Sequence, residues 1–131
     1  MRFSLDSNAV IALIKGKQGV IDRLRQHGID AIGLSSIVVH EIYHGARGSD
    51  RVAESIARLD ELPFTVMAFD RDDALAAAEI RQQLQRAGTP VGHFDLLIAA
   101  QTLARDLTLV TRNAREFQRI PGLRLADWET A

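Results

Sequence analysis

Short apolar runs alternate with longer amphipathic ones along this 131-residue chain. That alternation predicts an α/β fold with a mostly parallel central sheet of four to five strands, flanked by helices. Two further observations agree. Several strand candidates run straight into hydroxyl, amide or carboxylate residues that can start a helix. No linker, repeat or low-complexity segment interrupts residues 1–131, so the chain reads as one domain.

In order, Phe3 to Leu5 is a first short strand, stopped by Asp6-Ser7-Asn8. Ala9 to Ile14 continues as a helix closed by Lys15-Gly16-Lys17, and Val20, Ile21 and Leu24 repeat at helical spacing until Gly28. Ile29 to Leu34 is expected as a second strand. Ser35-Ser36 can then cap a helix carrying Ile37, Val38, Glu41 and Ile42, expected to end near Gly45. Arg51 to Leu62 is amphipathic and stopped by Pro63; Thr65 to Phe69 is a strand; Asp70 to Ala87 is a long alanine-rich helix ended by Gly88. After Thr89-Pro90 comes Val91-Gly92-His93-Phe94-Asp95-Leu96-Leu97-Ile98-Ala99-Ala100, a helix apolar around most of its circumference and opened by Asp95. Leu107 to Thr111 and Leu123 to Ala126 are the last strands, with a short turn from Asn113 to Phe117 between them.

Composition excludes several classes. A hydrophobic fraction of 47% and a charged fraction of 25% are those of an ordinary globular domain. There is no cysteine, so disulfide and thiol chemistry are ruled out. No run approaches the roughly 20 apolar residues of a membrane span. The first residues do not read as a signal peptide, so the cytoplasm is the expected compartment. A net charge of −1 gives no global polyanion footprint, although the basic charge is almost all Arg, suited to bidentate phosphate contacts.

In open parallel sheets, ligands bind beyond the carboxyl ends of the strands. Asp6 lies at the end of the first strand, Thr111 to Asn113 at the end of a late one, Glu41 in the first turns of the helix after the second, and Asp95 at the start of the buried helix. Singly, each has a plain structural use as a cap, an Asx-turn or a helix-dipole partner. Together they are carboxylates from three distant parts of the chain, which repel unless a cation neutralises them. An all-oxygen set without cysteine suits Mg²⁺ or Mn²⁺.

Leu5-Asp6-Ser7-Asn8, then Ser35-Ser36-Ile37 with Glu41 and Gly45, resembles the PIN-domain nucleases. Val91-Gly92-x-x-Asp95-Leu96-Leu97-Ile98-Ala99-Ala100, Leu109-Val110-Thr111-Arg112-Asn113-x-x-Glu116-Phe117 and the ending Pro121-Gly122-Leu123-x-Leu125-x-Asp127-Trp128 are similar to the VapC toxins of bacterial toxin–antitoxin pairs. The resemblance implies an Mg²⁺- or Mn²⁺-dependent endoribonuclease held inactive by a VapB-type antitoxin, as a homodimer or a larger toxin–antitoxin hetero-oligomer. It carries the family's acidic positions onto Asp6, Glu41 and Asp95. It implies Asp6 and Asp95 as direct metal ligands, with Glu41 binding through water or orienting the nucleophile. Asn113 stands where many PIN nucleases have Asp, so it joins the catalytic candidates without a charge, and Glu116, one helical turn on, is the possible fourth acid. Lys15, Lys17, Arg112, Arg115 and Arg119 follow the strand ends and are the candidate rim for an RNA backbone. A basic side chain from the partner is expected to pair with the carboxylates and displace the metal.

Two rival readings are open to test. His40-Glu41-Ile42-Tyr43-His44 matches H-E-x-x-H, the zinc-protease helix, but the PIN resemblance uses the same Glu41 and has three other motifs to support it. The chain can also be a non-catalytic subunit of a DNA-binding complex, holding an antitoxin helix in a groove formed from apolar positions around Ala9 to Ile14 and Ile56 to Leu62.

Overall fold

The computed structural model describes residues 1–129. At its centre is β1 (Phe3–Leu5), buried at all three residues as a middle strand covered on both faces is. The five strands run β3-β2-β1-β4-β5, with β2 (Ile32–Ser35), β3 (Thr65–Met67), β4 (Thr108–Val110) and β5 (Arg124–Ala126), and every pairing is parallel. Chain order runs outward to one edge from β1 through β3, then crosses back to β4. The sheet therefore has a switch point between β1 and β4, where a crevice opens beyond the strand ends. The ladder extends one residue past β1, the Asp6 N–H donating to the Val110 carbonyl at 3.1 Å.

The helices are α1 (Ser7–Ile14), α2 (Gln18–His27), α3 (Ser36–Arg47), α4 (Val52–Asp60), α5 (Arg71–Ala87), α6 (His93–Ala104) and α7 (Ala114–Phe117). Three starts are fixed by side chains. Asp6 accepts from the Ala9 N–H, Ser35 from the Ile37 N–H, and Asp70 with Asp73 forms a reciprocal capping box. In α6, Leu96, Ile98, Ala99, Ala100, Gln101 and Thr102 are all buried, as its apolar run predicts. Leu5, Val10, Val38, Ala99 and Leu109 meet in the core.

Several boundaries differ from the sequence expectation. The second strand begins at Ile32, because Gly28, at φ 87°, turns the chain into a 3-10 turn over Ile29–Ala31 and leaves Ile29 half exposed. Helix α3 runs through Gly45 to Arg47, and its amide-capping glycine is Gly48. The strand expected to reach Phe69 ends at Met67, since the Phe69 N–H turns away to the Ser36 hydroxyl at 3.1 Å. Helix α4 stops at Asp60, ahead of Pro63, and the strand expected over Leu107–Thr111 is paired only from Thr108 to Val110.

Two packing devices hold the layers. Trp128 is buried with its ring edge-on to Phe3 at 5.0 Å and stacked on His27 at 5.7 Å, while its carbonyl lies where a Cβ at Gly19 would stand. On the other side, Asp73 (1% exposed) accepts from Gln101 Nε2 and Arg105 Nη2, both at 3.0 Å, and Gln101 also donates to the Ala68 carbonyl. Burial pushes the Asp73 carboxyl up, but bonds from Arg105, the Asp70 N–H and Gln101 outweigh it and leave the pKa below the ordinary value. A lowered pKa contributes stability above the unfolded value of 3.8 that is lost on further acidification. Asp73→Ala strands Gln101 and Arg105 and is expected to cost about 2–4 kcal/mol in urea unfolding near neutral pH. A loss under about 0.5 kcal/mol, the range of ordinary surface substitutions, contradicts this account.

Candidate active site

The switch point carries the carboxylates. Asp6 follows the last residue of β1 and is 4% exposed, its Oδ1 accepting from the Ala9 N–H at 2.8 Å. Burial raises its pKa; the Thr111 hydroxyl and the Ala9 N–H pull it back, and the charges of Glu129 and Glu41 push it up again. Glu41 stands on the second turn of α3, half-buried, with Oε1 accepting from the Ser7 hydroxyl at 2.8 Å. Asp95 stands in the first turn of α6. Burial raises it to about 6, followed by the charges of Glu116, Glu41 and Asp6. An acid at a helix N-terminus would ordinarily be lowered, so burial and like charges prevail.

Glu116, on α7, completes the set. Its Oε1 accepts from the Gly92 N–H at 2.9 Å, and its Oε2 from Asn113 Nδ2 at 2.8 Å. Asn113 in turn is held by its N–H to Thr111 Oγ1 at 2.9 Å. The amide that replaces an acid at position 113 thus orients the acid one turn later, and Glu116 ties α7 to the residue that opens α6. Asp6, Glu41 and Asp95 are brought together, and Glu116, the possible fourth acid, joins them beside Asp95. Among the described residues, no three carboxylates or imidazoles are drawn together closely enough to make a closed metal cage. The set is an open arc of mutually repelling oxygens, and that donor chemistry fits a hard divalent cation.

The basic candidates divide. Lys15, Lys17 and Arg112 line one pocket with Asn8 and Glu129. Arg115 is exposed on α7, and Arg119 donates to the Pro90 carbonyl at 2.8 Å, bracing the loop before α6. Glu129 is a site residue that sequence reasoning does not find. Its side chain is 13% exposed, 3.7 Å from Arg112, and its charge reaches Asp6. The adjoining Asp127-Trp128 pair is the available signal, because a buried Trp fixes the position of the next residue. His40 and His44 are exposed on α3, their rings stacked at 6.3 Å with Phe94 tilted against His40 at 5.3 Å.

Beside Glu41 and Ser7 opens a groove of about 580 Å³ between α1, α3 and α4, lined by Ile11, Ile14, Ile42, Ala46 and Leu59. Of the positions expected to form it, Ala9, Val10 and Ala12 are core instead.

A PIN-domain model matches residues 4–123. The tRNA(fMet)-specific endonuclease VapC of Salmonella typhimurium is 36% identical over 130 residues, 98% of each chain. The chain belongs to the VapC group of PIN-domain ribonucleases. The ribonuclease VapC2 of Haemophilus influenzae is 31% identical over 98% of both chains. In a crystal structure of DNA-bound VapBC from Salmonella typhimurium, the matching chain superposes with a TM-score of 0.93 at 36% identity, covering 98% of each. The VapC architecture thus spans the described chain, and no helix in it is long and apolar enough to cross a membrane.

The raised Asp95 carboxyl has a measurable sign. A group whose pKa is higher folded than unfolded favours the fold at low pH, and the contribution fades as pH rises from about 4 to about 6. In metal-free protein at about pH 7.5, Asp95→Asn is expected to be stabilising by about 1 kcal/mol, a figure discounted for the half-exposed site. At about pH 4 the substitution should change the thermal midpoint little. Equal effects at both pH values contradict the repulsion.

Proposed function

We propose that this VapC-type ribonuclease hydrolyses RNA phosphodiester bonds with Mg²⁺ or Mn²⁺ held by Asp6 and Asp95, with Glu41 beside them. The observation that carries the reading is the convergence of these three acids and Glu116 on the β1–β4 switch point. A divalent ion there supplies a water acidified to near neutral pH and neutralises charge building on phosphorus. The chain's own residues do the positioning. Asp6 is fixed by a backbone donor in a buried notch and cannot swing away. The Ser7 hydroxyl aims Glu41 so that its second oxygen can orient a water. Asn113 and Gly92 hold Glu116 at the edge of the arc, so it supports α6 in place rather than serving as a first ligand.

The relative from Salmonella typhimurium is named for tRNA(fMet), which makes initiator tRNA the first substrate to assay. We place the chain in the cytoplasm, in a hetero-oligomer with a VapB-type antitoxin. The groove beside Glu41 supports a partner helix laying apolar side chains on Ile11, Ile14 and Leu59, with a basic side chain reaching the carboxylates. DNA binding of such a complex would belong to the antitoxin.

Cleavage of initiator tRNA, followed on gels, is expected to stop on chelation and to return with Mg²⁺ or Mn²⁺. Asp6→Asn and Asp95→Asn should each lower kcat by about 100-fold or more, and Ser7→Ala by about tenfold through Glu41. His40→Ala and His44→Ala should retain cleavage. Dead histidine variants rescued only by zinc would instead favour the H-E-x-x-H reading, and a chain that never cleaves would be the antitoxin-binding scaffold.

A further inference from the structure

The pocket of about 240 Å³ where α1 ends carries three cations and one anion: Lys15, Lys17 and Arg112 face it, with Glu129 from the far end of the chain. Asn8, from the first turn of α1, lines it too, so it lies alongside the acidic arc rather than across the molecule. Glu129 is brought there by construction. Trp128 packs into a three-ring cluster with Phe3 and His27, and the Glu129 N–H donates to Asp127 Oδ1 at 2.9 Å, holding the turn that carries the carboxylate. Its contact with Arg112, at 3.7 Å, is an ion pair without a close hydrogen bond, and the Arg side chain is 66% exposed. A carboxylate so placed is a weak internal stand-in for a tighter, bidentate oxyanion.

We propose that Lys15, Lys17 and Arg112 form a subsite for successive backbone phosphates of the bound RNA, and that Glu129 occupies Arg112 until one of those phosphates replaces it. The proposal rests on the ribonuclease reading for the identity of the polyanion. It adds which cations track the strand next to the scissile bond, and a built-in competitor for one of them. Glu129 then also acts as a filter. Small anions gain little by displacing it, whereas a strand already seated on Lys15 and Lys17 delivers its phosphate at high local concentration.

The test is binding without cleavage. A short fluorescein-labelled single-stranded RNA is titrated with the full chain in EDTA, read by fluorescence anisotropy at several salt concentrations. Glu129→Gln is expected to tighten binding by about two- to fivefold, the range for one partly exposed ion pair. Arg112→Gln, Lys15→Gln and Lys17→Gln should each weaken binding and lower the slope of log K against log salt by about 0.7. In an Arg112→Gln background, Glu129→Gln should lose most of its effect. Unchanged or weaker binding by Glu129→Gln, or unaltered salt slopes in the three cation variants, overturns the subsite. RNA cleavage in Mg²⁺ is scored separately. Cleavage with unaltered slopes sinks only the subsite, and altered slopes without cleavage sink only the nuclease reading.

Discussion

Everything at the working edge of this molecule depends on keeping a carboxylate in a place that disfavours charge. Asp6 is almost wholly buried, and it is surrounded by Glu41, Glu129 and Asp95. The fold tolerates this through fixed donors, the Ala9 N–H and the Thr111 hydroxyl, which come with the start of α1 and the end of β4. The cap that starts the first helix and the floor of the site are therefore one interaction. Loosening it would disturb both the local structure and the chemistry.

The remaining acids are held by the same economy of parts. Two of them have a polar partner from a distant element: the Ser7 hydroxyl for Glu41 and the Gly92 N–H for Glu116. These bonds cross between elements far apart in sequence, so the arc is rigid although no metal cage is drawn closed among the described residues. Behind it, the Asp73–Gln101–Arg105 network fixes α5 against α6 and so sets the depth at which Asp95 emerges.

Much of this is legible in the residues. The β1–Asp6 junction, the Ser35 cap and the apolar run after Asp95 are local patterns, because strand ends and helix starts are written in adjacent residues. The exceptions have local or long-range causes. Ile29 to Ala31 resembles strand because it is apolar at the ends, but the positive φ of Gly28 commits those residues to a turn. Arg119 resembles a rim residue, yet its guanidinium is engaged by the Pro90 carbonyl. For Glu129 the neighbouring Trp128 signals a buried anchor, but where that anchor lies depends on Trp128 finding Phe3 and His27. Long-range side-chain bonds leave no periodic trace in a sequence.

The position of β1 between β2 and β4 also dictates when this edge comes into being during synthesis. Phe3 precedes its partner Thr108, and the Thr111 hydroxyl that steadies Asp6, by more than a hundred residues of chain. A partly translated chain can pair β1 with β2 and β2 with β3, yet it has no α6, no β4 and no acidic arc. The acidic arc is thus assembled only once α6 and β4 have joined the sheet. Until then Asp6 has neither the Asp95 carboxylate beside it nor the Thr111 hydroxyl to steady it.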